Sequence, residues 1–307
     1  MKNVLITGNA GFIGANLTRF LHSKGYNIRG IDNYTTGQRK YVPDYVDMRH
    51  FDNIVIYDNS YEAAENIDVI IHLAAISGVQ PSIKDPLKTN NTNVSGTLNL
   101  LTSAVHQNVK KFIFASSGGT ILGQQEPPVH EESKIKPISP YGASKAAGEH
   151  YCNAFYETYG LNTTILRFSN VYGPYSLHKK GNFIPTFLNA YLNDEDFYIN
   201  GSGEQTRDFI YVNDVVNAIY KSMISDIEND TFQIATGTQT SINEVTDIMN
   251  KTIHEKTGKW KEVKNRHGLI GDVNKNYACI EKAELKLNWK PKYDIEDGIE
   301  EFFGEYI

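Results

Sequence analysis

The chain has 307 residues, 40% of them hydrophobic and 21% charged, with 24 glycines and a formal net charge of −6. That length fits roughly two domains with a self-sufficient core, and the acidic balance supplies no positive field for nucleic acid or an anionic membrane surface. The two cysteines, Cys152 and Cys279, stand far apart without CxxC or metal spacing, which argues against a disulfide scaffold and for a reduced, cytoplasmic setting.

The first apolar run stops at Thr7-Gly8, too short for a signal peptide. The longest apolar stretch, 69–76, falls well short of the ~20 residues that span a bilayer. In chain order, residues 4–7, 27–31, 54–57, 69–73, 112–115 and 163–167 read as strands, short, rich in Val, Ile and Phe, and bounded by turn formers. Helical patterns at 12–24, 86–107 and 140–159 alternate with them. Parallel strands need crossovers, so the alternation predicts an α/β fold with a doubly wound parallel sheet covered on both faces. After Pro174 the pattern loosens. Residues 175–181 and 200–205 read as loops, 212–223 as a helix and 232–235 as a strand. The polar tail over 256–307 holds one helix, at 280–287. The expected division is a nucleotide-binding domain over 1–174, rejoined by 208–236, and a smaller α/β domain over 175–307.

Gly8-Asn9-Ala10-Gly11-Phe12-Ile13-Gly14 follows the first strand and opens the first helix. Glycines let the backbone turn tightly and approach a pyrophosphate, which then sits on the free N–H groups of the helix start. The spacing is Gly-x-x-Gly-x-x-Gly rather than Gly-x-Gly-x-x-Gly, and glycines alone also fit a merely tight turn. Asp32, at the end of the second strand, adds a carboxylate that accepts from the adenosine ribose 2′-OH and repels a 2′-phosphate. Together they predict NAD rather than NADP. Asp58, at the end of the expected third strand, is placed to meet the adenine amino group; a carboxylate in the first turn of a helix is the alternative.

Ser139 is a good N-cap and Pro140 a good first helical residue, so a helix starting there stacks Tyr141 and Lys145 on one face. The neighbouring ammonium and the positive helix end both favour phenolate, and oxidised nicotinamide adds a third charge. Bringing the phenol from ~10 to about 7 takes about 4 kcal/mol of differential stabilisation. Tyr141 is then a general base for a sugar hydroxyl, with Lys145 also holding the nicotinamide ribose. A surface Tyr–Lys pair is the plainer alternative.

These features occur in one order with His72-Leu73-Ala74-Ala75 and Arg207-Asp208-Phe209-Ile210-Tyr211-Val212. The set resembles the extended short-chain dehydrogenase/reductase superfamily and, within it, the UDP-glucose 4-epimerase group, from Lys2 to about Pro291. The resemblance implies a Rossmann-type domain, NAD as a prosthetic group, a UDP-sugar substrate, and a homodimer packed through the Tyr141 helix and the one before it. It extends the cofactor contacts to Asn33, Asn59, Leu73, Ala74, Ala75, Asn93 and Ser116.

A family hydroxyl that holds the reacting oxygen falls here at Gly118, with Ser117 just before it, and Leu122 stands where the family usually carries Tyr. Either Ser117 reaches the oxygen by a small backbone shift or Tyr141 works more directly. Dehydratases of this family carry an acidic pair after a Thr in this segment, and uronate decarboxylases a Glu nearby. Residues 117–119 offer no carboxylate, so the resemblance implies reversible oxidation at C4 of a UDP-hexose, UDP-glucose/UDP-galactose, the N-acetyl pair or both, through a 4-keto intermediate.

On the substrate side, Arg207 is a candidate for a bidentate phosphate contact. Arg266 resembles a second family arginine, although 266–272 carries extra residues relative to the usual spacing. The resemblance adds Ser82, Asn170, Asn182, Phe183, Tyr198 and Asn200 to Ser117, Gly118 and Tyr141, with Asn276 as the residue limiting sugar size. Lys256, Lys259, Lys261 and Lys264 read as a solvated face, His72 as a buried strand residue, and no metal site is expected. A UDP-uronate 4-epimerase, a net nucleotide-sugar reductase or dehydrogenase, and a non-catalytic NAD-sensing protein are the competing readings.

Overall fold

In the computed structural model, which describes residues 2–48, 52–179, 181–267 and 274–307, short apolar runs become strands wherever both their faces are covered. The chain opens with β1 (Asn3–Thr7), α1 (Phe12–Ser23) and β2 (Asn27–Ile31). α2 (Tyr57–Ala63) leads to β3 (Val69–His72). Next come α3 (Val79–Lys84), α4 (Pro86–Asn90), a π-helical turn at Asn91–Ser95, α5 (Gly96–His106) and β4 (Lys111–Ser117). The short α6 (Gly118–Leu122) and long α7 (Pro140–Tyr159) precede β5 (Thr163–Phe168) and β6 (Asn170–Tyr172). α8 (Phe183–Leu192), β7 (Phe197–Asn200), β8 (Thr206–Arg207), β9 (Phe209–Tyr211), α9 (Val212–Ile224) and β10 (Asp230–Ile234) follow. β11 (Thr240–Ser241), α10 (Ile242–Thr257), β12 (Val263–Arg266), α11 (Glu281–Leu287) and α12 (Ile295–Gly304) complete the described strands and α-helices.

The central sheet runs β10-β5-β4-β3-β1-β2, and every pair in it is parallel. The pleat sends Val4 and Ile6 into one core, with Leu17, Leu21, Val215 and Ile219 of α1 and α9. Leu5 faces the opposite core, with Leu100, Leu101 and Cys152 of α5 and α7. This is the Rossmann-type arrangement. From β1 the chain goes to β2 on one side and returns to β3 on the other, which opens a crevice at the carboxyl ends of β1 and β3. A third core joins Phe187, Phe197, Val245, Ile253, Phe302 and Phe303 from α8, β7, α10 and α12.

The expected strand at 54–57 does not form. Ile54 is buried, but the carbonyls of Ile54 and Val55 accept from Asn99 Nδ2 at 3.0 and 2.9 Å, and Ser60 Oγ donates to Ile54 O. Side chains take the carbonyls that a strand ladder would use, and Tyr57 begins α2 instead. On the edge of β2 away from β1, the described residues make an isolated bridge between Arg29 and Asp47. The helix expected over 86–107 carries the π-turn, a feature that often marks functional segments.

Three observations fix α7. Ser139 Oγ accepts from Gly142 N at 3.1 Å, with Pro140 in the first turn. A side chain at Gly142 would meet Thr120 O at 2.2 Å, so only glycine lets this helix approach α6. Farther along, Arg167 of β5 makes a two-pronged bond to Glu149, 3.0 and 2.8 Å, with both side chains buried. Removing either partner of such a pair strands a buried charge and costs about 3–5 kcal/mol.

Candidate active site

The crevice at the strand ends is a cavity of about 1140 Å³, large enough for extended ligands. At one end lies the glycine turn. Gly8 has φ +74°, and a Cβ there would stand 2.8 Å from Ala74 N, so the turn needs glycine for both conformation and contact. A Cβ on Gly14 would stand 2.2 Å from Gly8 O. Gly11 N-caps α1 without a side-chain cap. The first N–H groups of α1 therefore start at the cavity with no side-chain acceptor, the arrangement that receives an anion. Gly8, Gly11, Phe12, Ile13 and Gly14 all line it, as do Leu73, Ala74 and Ala75.

Asp32 is buried beside this turn. Its Oδ2 accepts from Ala10 N at 3.0 Å and its Oδ1 from Tyr34 N at 2.8 Å. Burial raises its pKa, and these two backbone donors oppose the rise. Asn33 lines the cavity too, while its Oδ1 accepts from Thr35 N. An uncapped helix start beside an oriented carboxylate fits the diphosphate and ribose of a dinucleotide.

Three expected cofactor contacts, Asp58, Asn59 and Asn93, stand outside the cavity wall. Asp58 occupies the first turn of α2 rather than a strand end, and neither it nor Asn59 lines the cavity. Asp58 therefore takes the alternative reading, a carboxylate favoured by the helix dipole. Asn59 Nδ2 instead donates to Asp52 Oδ1 at 3.1 Å, and Asp52 with Ile54 lines the cavity. Asn93 is buried behind the wall. Its amide bonds Ile76 N at 2.8 Å, Ile76 O at 3.1 Å and Ser144 Oγ at 2.9 Å, so it fixes the loop lining the cavity at 76–78.

Tyr141 and Lys145 share the middle of the cavity with Ser116 and Ser117 at the end of β4. Lys145 Nζ donates to Ala115 O at 2.7 Å and lies 4.8 Å from the centre of the Phe114 ring. Burial pulls its pKa down to about 8, and burial pushes the Tyr141 phenol up to about 12. Burial alone sets that direction for the phenol, and the ammonium expected beside it donates to a carbonyl. His72 is buried and held neutral by that burial. Its ring nitrogens lie 2.7 Å from Thr7 Oγ1 and 2.9 Å from Thr97 Oγ1.

Gly118 does not line the main cavity. A Cβ there would meet Gln233 Oε1 at 2.7 Å, and one at Gly119 would meet Asn276 Nδ2 at 2.1 Å. Two amide side chains thus fill the space a larger residue would take, which accounts for the paired glycines. Ser116, Ser117 and Thr120 all line the cavity, but Ser116 Oγ and Thr120 Oγ1 are themselves buried, without a hydrogen-bond partner.

At the far end, Asn170, Asn182, Phe183, Asn200, Arg207, Arg266 and Asn276 line the cavity. Asn200 Oδ1 accepts from Arg266 Nε at 2.6 Å across the parallel pair β7–β12. Tyr198 is not in the wall; its ring sits under the Arg266 guanidinium at 5.6 Å, and its hydroxyl donates to Asp196. Ser82, expected to contact the sugar, is not in the wall either. Its hydroxyl donates to Val79 O at 2.7 Å, and Val79, Gln80 and Pro81 line the cavity in its place. Residues 268–272 of the Arg266 motif lie outside the described residues.

Asp208, beside Arg207, is a residue the sequence reading gave no role. It is buried and accepts from Thr236 N, Thr236 Oγ1, Gly237 N and Ala278 N at 2.8, 2.8, 3.0 and 3.4 Å. It ties the chain after β10 to the segment carrying Asn276.

The likenesses to known proteins agree with this geometry. A Methanocaldococcus jannaschii chain, provisionally named a UDP-glucose 4-epimerase, is 37% identical over 301 residues, covering 96% of this chain and 95% of its own. UDP-glucuronate 4-epimerase of Thermodesulfobacterium geofontis is 31% identical over 316 residues, covering 97% of this chain and 94% of its own. The structure of UDP-glucose 4-epimerase from Thermotoga maritima, with UDP-glucose, superposes with a TM-score of 0.92 at 34% identity, covering 99% of this chain and 98% of that one. The sequence profile of the NAD dependent epimerase/dehydratase family matches residues 4–235, and this chain belongs to that family.

Proposed function

We propose that this protein is an NAD-dependent UDP-hexose 4-epimerase that interconverts UDP-glucose and UDP-galactose. The observation that carries the reading is the placing of Tyr141 and Lys145 between the glycine turn and the Arg207–Arg266 end of one cavity. The carboxylates lining that cavity, among the described residues, are Asp32 and Asp52, both on the glycine-turn side. The segment 117–120 beside Tyr141 holds none, which supports oxidation and return over elimination. Residues 1–174 with β10 then form the cofactor half, and 175–307 supply most of the sugar-nucleotide half.

When bound, NAD supplies the hydride acceptor and donor for C4 of the sugar, giving a transient 4-keto sugar reduced on its other face. Tyr141 Oη takes the proton of the C4 hydroxyl and returns it. Lys145, anchored on Ala115 O, holds the nicotinamide ribose and adds the positive charge that the phenol needs. Ser117 donates to the reacting oxygen. Arg207 and Arg266 hold the UDP diphosphate, while Asn276 beside Gly119 bounds the sugar pocket.

Ile83, Leu87, Tyr151 and Tyr159 expose apolar surface on α3, α4 and α7, which supports a homodimer packed through these helices. Light scattering at the mass of one chain would remove it. Both cysteines are free, in keeping with a cytoplasmic protein. No helix among the described residues is long and apolar enough to cross a membrane.

Incubation of purified protein with UDP-glucose, UDP-N-acetylglucosamine and UDP-glucuronate, followed by chromatography, tests the substrate. UDP-galactose formed without added NAD is the expected product. Turnover of UDP-glucuronate alone would move the assignment to a uronate epimerase, and stoichiometric consumption of free NADH to a net reductase. No C4 epimer from any of the three would overturn the epimerase reading.

A further inference from the structure

The cations lining the cavity, among the described residues, are Lys145, Lys179, Arg207 and Arg266. The proposed reaction uses three of them and leaves Lys179 without a role. Lys179 follows β6 on a segment that runs over the glycine-turn end. Asn16 Nδ2 of α1 donates to Pro174 O at 3.0 Å. The Arg19 guanidinium lies 4.4 Å from the centre of the Tyr175 ring. Tyr41 packs edge-on against Tyr175 at 5.1 Å and meets the His178 ring at 5.4 Å. These contacts draw His178 and Lys179 to the wall shared with Thr35, Thr36, Gly37 and Asp32. Lys179 N donates to Ser176 O at 2.8 Å, which fixes the turn presenting it.

Charge fits the placement. Burial lowers the Lys179 pKa and the Asp32 carboxylate supports its charge, while the ammonium in turn lowers that of Asp32. Asp32 already accepts from two backbone N–H groups. At this end the glycine turn supplies only backbone donors and partial dipole charge, so Lys179 is the one full positive charge on this wall among the described residues.

We propose that Lys179 is a cofactor-holding residue, donating a charge-assisted hydrogen bond to the adenosine-side phosphate and ribose oxygens of NAD. The inference rests on the cofactor placement proposed above. It joins the two halves of the protein, because the segment that carries Lys179 continues into Asn182 and Phe183 on the sugar-nucleotide side.

Calorimetric titration of NAD-free protein with NAD, ADP-ribose and UDP tests it, together with the NAD content of the protein as purified. Lys179→Met should weaken NAD and ADP-ribose about tenfold or more, the scale of one charge-assisted bond, and leave UDP unchanged. Lys179→Arg should keep most of the NAD affinity. Lys179→Gln, followed with its melting temperature, repeats the comparison in a side chain of similar shape. Unchanged NAD affinity in Lys179→Met and Lys179→Gln would overturn the proposal. So would a loss confined to UDP, which would assign the cation to the sugar nucleotide. Wild-type protein that bound no NAD would instead refute the cofactor placement itself.

Discussion

The two ends of the cavity are built from different materials. At the glycine turn, one stretch of seven residues, 8–14, presents backbone N–H groups, and Asp32 at the next strand end completes the wall. At the other end Asn170, Asn182, Arg207, Arg266 and Asn276 arrive from separate elements and offer side chains. A backbone site fails by steric exclusion, all at once. A side-chain site loses affinity in steps, one contact at a time. A ligand held at both ends needs both kinds of precision, with Tyr141 between them.

Substitutions can test that contrast, beginning at the junction. Tyr141→Phe should cut kcat by about 10²–10⁴ and leave NAD content and UDP affinity at wild-type values, since it removes neither wall. Retained full activity on a proven substrate would end the general-base assignment. Gly8→Ala should be next in size. It combines left-handed backbone with a Cβ 2.8 Å from Ala74 N, a cost of about 2 kcal/mol or more. The denaturation midpoint should fall and the purified protein should carry little NAD.

Arg207→Met, at the side-chain end, should weaken UDP roughly tenfold while NAD content stays constant. A loss of both ligands would show that the ends are not separable. Ser117→Ala should lower kcat by roughly tenfold, about the value of one hydrogen bond to a charged oxygen. An unchanged rate would mean that the hydroxyl is supplied elsewhere or is not needed.

The smallest effect concerns pH. Burial holds Lys145 at about 8 in the folded NAD-free protein, against ~10.4 in an unfolded chain. Between those values the unfolded chain binds more protons, so this group's contribution to stability rises with pH. Lys111, also held at about 8 by burial, adds a rise of the same sign. The informative quantity is therefore the difference between wild type and Lys145→Met in urea midpoints from pH 8 to 10. The variant should show the shallower rise.

Legibility followed the same divide. The sheet was readable because its strands are buried on both faces and carry unbroken apolar runs, as at Val69–His72. Residues 54–57 carry a similar run, and the side chains of Ser60 and the distant Asn99 take the carbonyls of Ile54 and Val55 away from a ladder. The turn at 8–14 and the pair Tyr141–Lys145 are legible because their signal lies in local spacing. For Ser82 and Asn93 the resemblance implies ligand contacts, whereas their polar atoms are committed to backbone and to Ser144. Asp52 and Lys179 carried no local signal, since their positions depend on the packing of remote loops. One readable signal was passed over. Ser241 and Glu244 form a reciprocal capping box that announces α10.

Isotope transfer addresses the central claim, that one cavity oxidises and re-reduces the same sugar carbon. The protein, with no NAD added, is given UDP-glucose deuterated at C4, and the product is analysed by mass spectrometry and NMR. The account predicts UDP-galactose with deuterium retained at C4. Unlabelled epimer, with deuterium lost to water, or no epimer at all would contradict it.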